Sequence, residues 1–236
     1  MNEADSTTPS LKPVSRRHRF GRFSAVHLLI AIALLFTFAP FIEEIRGGDL
    51  IASFLLSLVL LSAIVAVSDS KYVLIIALVL AIPAVGGRWI NHFRPDLVHP
   101  SVFLICALVL MTFLVTRLLR FVLRARSVNT EVLCASIAAY LMLGLIWTVA
   151  YWLVDQLTPG GAFSFSSTIG QRSMNGFNGF YFSFVTLSTV GYGDIVPVSR
   201  FARWLAAMEA MTGMLYVAVL IARLVSLYSA PKSDDS

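Results

Sequence analysis

Thr186-Leu187-Ser188-Thr189-Val190-Gly191-Tyr192-Gly193-Asp194 is the stretch on which the reading of this chain turns. Gly191 and Gly193 alternate with Val190 and Tyr192 directly after a run of hydroxyl residues. Successive carbonyls of an ordinary extended segment point to opposite sides. Turning them the same way requires backbone angles that residues with a Cβ avoid, and Gly191 and Gly193 adopt them at little steric cost. The carbonyls of Thr189, Val190, Gly191 and Tyr192, with the Thr189 hydroxyl, then form stacked oxygen rings. The side chains of Val190 and Tyr192 turn away from the axis. Such rings replace the hydration shell of a cation that has left water.

The rest of the chain is suited to hold this loop in a bilayer. It has 236 residues, 58% hydrophobic and 13% charged, against about 25% charged in a soluble domain. Its apolar residues come in long unbroken blocks, which points to membrane spans. The net charge of +5 does not indicate nucleic acid, because the basic residues sit beside apolar blocks rather than on an amphipathic face. Cys106 and Cys134 fall inside apolar blocks, where cysteine behaves as a small hydrophobe, so no disulfide framework is implied. There is no metal-ligand spacing, nucleotide loop or nucleophile motif, so no catalytic residue, enzyme activity or cofactor is expected. His18 lies in a basic tail and His27 in the first apolar block. His92 and His99 share a loop with Asp96 and read as solvated residues, a proton or metal site being the alternative.

Residues 1–23 are polar and basic and form an expected cytoplasmic tail; no short apolar run with a small-residue cleavage site marks a secretory leader. Apolar blocks follow at about 24–42, 50–67, 72–87, 98–116, 131–154 and 201–226. A bilayer core of about 30 Å needs roughly 20 helical residues. The third block is short and contains Pro83; Lys71 and Arg88 at its ends are expected to snorkel outward, a re-entrant helix being the alternative. With the N-terminus inside and six alternating spans, the inside holds Lys12, Arg16, Arg17, Arg19, Arg22, Lys71, Arg117, Arg120, Arg124, Arg126, Arg223 and Lys232. The outside holds Arg46, Arg88, Arg94, Arg172, Arg200 and Arg203. Twelve against six of the 18 basic residues agrees with the positive-inside rule. It puts both termini in the cytoplasm of a multi-pass protein of the cell (inner) membrane, and the loop between the fifth and sixth spans outside.

In that loop, residues 155–177 are rich in Ser, Gly and Thr and read as an exposed turret. Residues 178–188 are apolar and aromatic but too short to span. They read as a pore helix that dips partway in, with its negative dipole end toward the axis, followed by the filter at 189–194. The outer helix is 131–154 and the inner helix 201–226, within a pore domain of 127–228 followed by a short tail at 229–236. One chain supplies one filter strand and no internal repeat is found, so a homotetramer around a fourfold axis is expected.

With these residues in place the chain resembles the tetrameric potassium channel family, in particular six-span bacterial members without cytoplasmic regulatory domains. The clearest match is residues 131–226. The resemblance implies an all-α membrane protein of six transmembrane helices, with a re-entrant pore helix and selectivity filter between helices 5 and 6. It implies potassium as the permeant ion, bound at Thr189, Val190, Gly191 and Tyr192, with Gly193 completing the filter. Thr186 would support the filter from before it and Asp194 would follow at the outer mouth. Gly213 matches the family's inner-helix hinge glycine; close helix packing is the other reading. Ser188 stands where many members carry threonine. Glu209, an acid inside a membrane helix, is a functional candidate by default, and support of the filter is the expected role. Arg223 reads as an interfacial anchor.

Residues 24–126 occupy the place of a four-helix voltage sensor. Arg117, Arg120 and Arg124 have the spacing of a sensor helix, but Ser101 to Val115 carries no charge. Spans two and three contain no acid; Asp69 is in a connecting loop, and Glu43 and Glu44 lie at the outer end of span one. The link from Arg126 to Glu131 leaves little room for a coupling helix. Each charge moved across the field is worth about 2.3 kcal/mol per 100 mV, so few mobile charges imply weak or no voltage dependence. The sequence therefore predicts a potassium-selective channel of that kind. A voltage-gated channel using Arg117, Arg120 and Arg124 and a non-conducting regulatory subunit are the alternatives.

Overall fold

The computed structural model describes residues 24–42, 48–68, 71–94, 99–125, 127–166 and 173–229. The basic tail, Arg126, Asp69, Glu43, Glu44, Asp96, part of the turret and the last seven residues lie outside the described residues.

Each apolar block forms one helix: α1 (Ser24–Ile42), α2 (Gly48–Val67), α3 (Lys71–Phe93), α4 (Pro100–Arg124), α5 (Thr130–Leu157) and, after the short α6 (Gly176–Leu187), α7 (Arg200–Ser229). Helices satisfy their own backbone groups, the requirement a lipid surrounding imposes. Among the described residues five helices, α2 to α5 and α7, are long and apolar enough to cross a membrane, while the apolar stretch of α1, Ala25–Phe41, is shorter. Helix starts are set by local chemistry. Asn129 caps α5 by accepting the Val132 N–H at 2.9 Å. His99, which is exposed, caps α4 by accepting the Ser101 N–H, with Pro100 at the first turn.

The third block differs from its sequence reading. It does not stop at Gly87 but continues to Phe93. The reason is Arg88, which turns into the bundle instead of outward. Its Nε donates to the Ser53 hydroxyl of α2 at 2.8 Å, and its guanidinium lies 5.8 Å from the centre of the Trp152 ring of α5. A charge given a hydrogen bond and an aromatic face need not end the helix.

The core lies between α4 and α5. Leu110, Met111, Leu114 and Leu118 of α4 are fully buried, as are Ala135, Ala138, Ala139 and Met142 of α5. α1 packs on both α2 and α5. It also reaches α6, where Phe36 meets Phe180 and Phe184 edge-on, with ring centres 4.6 and 4.5 Å away. Phe184 in turn occupies the space that Gly144 leaves on α5, where a Cβ would fall 2.3 Å from the ring.

The all-α expectation needs one correction. β1 (Phe163–Phe165) and β2 (Ile195–Pro197) form a two-stranded antiparallel ribbon, Phe163 opposite Pro197 and Phe165 opposite Ile195. The turret is correspondingly not all exposed: Ala162, Phe163 and Met174 are buried. Strands of three residues whose partners lie on either side of the pore helix leave little local pattern to read.

Gly144→Ala is expected to cost about 1–3 kcal/mol through overpacking against Phe184. Gly86→Ala, where a Cβ meets nothing within 4 Å, is expected to leave stability unchanged or slightly raised. Thermal midpoints of the two purified variants check this, and equal midpoints would contradict the close fit.

Candidate functional site

The site is built on the C-terminal end of α6. This helix starts at Gly176 and ends at Leu187, two residues earlier at its start than the 178–188 expected. Asp155, at the end of α5, positions its approach: one carboxylate oxygen accepts the Ala162 N–H at 2.9 Å and the other the Met174 N–H at 3.2 Å. Phe182 is buried against Tyr151 and Phe163, ring centres 4.9 and 5.3 Å apart. At the far end the Leu187 carbonyl lies where a side chain on Gly213 of α7 would be, 2.1 Å from an added Cβ.

After Leu187 the chain turns back on the helix it has left. The Ser188 N–H donates to the Phe184 carbonyl at 3.1 Å and Thr189 to Thr186 at 2.9 Å. Val190 and Gly191 both donate to Val185, at 2.9 and 3.4 Å. Four consecutive amides are thus directed at the last turn of α6, satisfying helix-end carbonyls that would otherwise lack partners. The carbonyls of Thr189, Val190, Gly191 and Tyr192 accept no hydrogen bond among the described residues. Gly191 and Gly193 have φ of 58° and 79°, the left-handed region glycine enters freely. Thr189 joins them at φ 59°, which the sequence did not signal. A β-branched residue there is a true outlier, and such strain, about 1–3 kcal/mol, is kept only where the surroundings over-determine it.

Residues 188–193 are exposed in the single chain, with Val190 54% and Tyr192 71% accessible. Tyr192 stacks on Tyr181 of α6, ring centres 6.3 Å apart and planes 5° from parallel. The Tyr181 phenol faces the Asp194 carboxylate. The Asp194 carbonyl accepts from the N–H and the hydroxyl of Ser166, at 2.8 and 2.9 Å. The ribbon therefore ties the outer end of the loop to the turret.

Glu209 of α7 is completely buried behind the loop. Its carboxyl meets the Tyr151 hydroxyl of α5 on one oxygen and the Ser183 hydroxyl of α6 on the other, the latter at 2.6 Å. The Ser183 oxygen also lies 2.7 Å from the Gly144 carbonyl. One side chain thus joins α5, α6 and α7. Thr186 is half-buried in the last turn of α6, and Gly213 lies within a continuous α7.

Arg117, Arg120 and Arg124 fall in the last two turns of α4. Arg120 and Arg124 are exposed and Arg117 is half-buried. Arg223 reaches across to the end of α4 and donates to the Ala125 carbonyl at 2.8 Å.

Tyr151, Asp155, Tyr181 and Ser183 were not singled out by sequence. Tyr151 stands 58 residues from Glu209, and nothing local announces a pairing of that length. Tyr181 and Ser183 were seen only as part of an apolar aromatic run.

Residues 130–230 match the family described as "Ion channel". The chain is similar to Two-pore potassium channel 1 of Arabidopsis thaliana, 35% identical over 88 residues, which is 37% of this chain and 20% of that protein. It is similar to Two-pore potassium channel 4 of the same plant, 49% identical over 47 residues, 20% of this chain and 16% of the relative. It is also similar to Protein LctB of Geobacillus stearothermophilus, 42% identical over 60 residues, 25% of this chain and 44% of the relative. The matches thus span a fifth or less of the two plant proteins' own length. No solved structure matches the chain. Residues 130–230 are thus similar to ion channels, potassium channels among them, and the long apolar helices of the chain support a multi-pass membrane protein.

Glu209→Leu is expected to destabilise the protein by about 1–3 kcal/mol by leaving the buried Tyr151 hydroxyl without an acceptor. Glu209→Gln keeps an acceptor oxygen and is expected to cost less. The thermal midpoints should fall in the order wild type, Gln, Leu; a Leu variant as stable as wild type would show that the network contributes nothing.

Proposed function

We propose that this chain is a potassium channel, selective for potassium as its permeant ion and with no resident cofactor. Four copies contribute one filter strand each around a common axis. The observation that supports this best is the direction of the filter backbone. Its amides from Ser188 to Gly191 face the pore helix, and its carbonyls from Thr189 to Tyr192 are left without protein donors among the described residues. Oxygens in that state suit a dehydrated cation. In this reading Thr186, Asp194 and Glu209 support the filter and Gly213 serves as the inner-helix hinge. Its contact with the Leu187 carbonyl gives close packing an equal claim. The exposed Val190 and Tyr192 become covered when neighbouring copies close the ring.

The assembly spans the cell (inner) membrane with six helices per chain, α1 included, and both termini in the cytoplasm. A scaffold that never conducted would have no use for a strained Thr189 and two left-handed glycines in succession.

The reading includes weak or absent voltage dependence. The arginines of α4 are confined to its final turns, beyond the uncharged Ser101 to Val115. A voltage-gated channel remains the second reading, because Arg117, Arg120 and Arg124 keep the spacing of a sensor.

In planar bilayers the purified protein is expected to pass potassium in strong preference to sodium, and Gly191→Ala to abolish current or selectivity. Potassium current with unchanged selectivity in that variant would overturn the filter assignment. The conductance–voltage curve is expected to be flat; a steep sigmoid would mean that Arg117, Arg120 and Arg124 move in the field.

A further inference from the structure

Helix α7 is weakest near its middle and is tied down just beyond that point. A glycine inside a helix lowers its stability, and Gly213 is such a residue. Beside it, Thr212 turns its hydroxyl back onto the Met208 carbonyl at 2.7 Å, a bond that competes with the helix ladder and favours bending. Three residues past Gly213, the Tyr216 hydroxyl donates to the Ser136 carbonyl of α5 at 2.6 Å, and its ring lies 5.5 Å from that of Tyr140 on the same helix. The Ser136 hydroxyl is turned away to the Leu133 carbonyl at 2.8 Å. On its other side this half of α7 has room. A groove of about 320 Å³ separates it from α4, floored by Leu143 of α5, with Leu119 and Leu123 of α4 on one wall and Leu215 and Val219 of α7 on the other. The inner half of α7 is therefore held toward α5 by a hydroxyl and is unfilled toward α4.

We propose that Tyr216 is a latch: its hydrogen bond to Ser136 holds the inner half of α7 against α5, and its release lets that half bend at Gly213 into the groove beside α4. This rests on the potassium channel reading, in which the inner ends of four α7 helices border the conducting axis. α4 belongs to the peripheral bundle, so movement toward it takes α7 away from that axis and widens the inner entrance. Tyr216 touches no ion; it is a positioning residue that acts through α7. The movement opposes few contacts. Leu215 and Val219 meet the leucines of α4 as they enter, so no polar group has to be buried on that side. Arg223 already reaches the Ala125 carbonyl at the end of α4, and an approach of the two helices does not stretch that tie. What is lost is one hydroxyl bond to a backbone carbonyl, a contact of modest net value that can be broken and remade.

The test is single-channel recording of the intact purified protein in planar bilayers, with Tyr216→Phe, which removes the hydroxyl and keeps the ring. The ratio of open to closed time is expected to rise about fivefold, the value of one ordinary hydrogen bond, with the preference for potassium over sodium unchanged. Leu215→Trp fills the groove and is expected to lower the ratio, so the question is still answered if Tyr216→Phe does not fold. A lowered thermal midpoint with an unchanged ratio in Tyr216→Phe would make the bond purely structural and overturn the proposal. A Leu215→Trp variant that opens as often as wild type would do the same. A second measurement needs no current. Spin labels at Ser226→Cys, an exposed position near the end of α7, in a chain with Cys106 and Cys134 replaced by alanine, report the separation of the inner ends by double electron–electron resonance. Tyr216→Phe is expected to shift the distances upward and Leu215→Trp downward, and one distribution shared by all three proteins would sink the latch. A wild type that passes no potassium while the distances shift as expected would refute the channel reading and leave the latch standing, so the two failures are distinguishable.

Discussion

The arrangement of the channel-like segment depends on how the chain leaves α6. A helix end leaves its last carbonyls without intrahelical partners. Here those of Phe184, Val185 and Thr186 receive the amides of the next four residues, so the helix end and the loop satisfy each other. This exchange fixes which way the loop's own carbonyls face. It also explains why the surroundings are so tightly packed. Gly213 lets α7 approach the Leu187 carbonyl, Gly144 lets Phe184 sink into α5, and Glu209 joins the three helices through Ser183 and Tyr151.

The two ends of the loop are secured by different chemistry. Its inner end rests on a buried network of hydroxyls and a carboxyl. Its outer end rests on Tyr181, on Asp194 and on a ribbon whose other strand belongs to the turret. Asp155 holds the turret in turn by accepting two backbone amides. Parts of the chain on both sides of α6 thus converge on residues 188–194, and an irregular segment is held without regular secondary structure of its own.

Helices were legible in the sequence because a bilayer demands long apolar runs, and those runs set most helix limits to within a few residues. The loop was legible because Gly191 and Gly193 answer a local backbone demand. What was not legible depends on contacts between distant segments. The extension of α3 past Gly87 required Ser53 and Trp152 to receive Arg88. The ribbon required Phe163 to Phe165 to meet Ile195 to Pro197 across the pore helix. None of these partners stands at a spacing that helix or strand periodicity could announce.

Phe36 bears on how separable the molecule is. It belongs to the first helix, far outside the matched module, yet its ring lies against both Phe180 and Phe184. The boundary between the peripheral bundle and the pore is therefore not a seam along which the chain could be cut. A two-span excision beginning near Thr130 would strip an aromatic lid from the helix that presents the loop. Modularity in this protein is a property of its sequence matches and not of its packing, and α1 supports α6 as much as it belongs to the bundle.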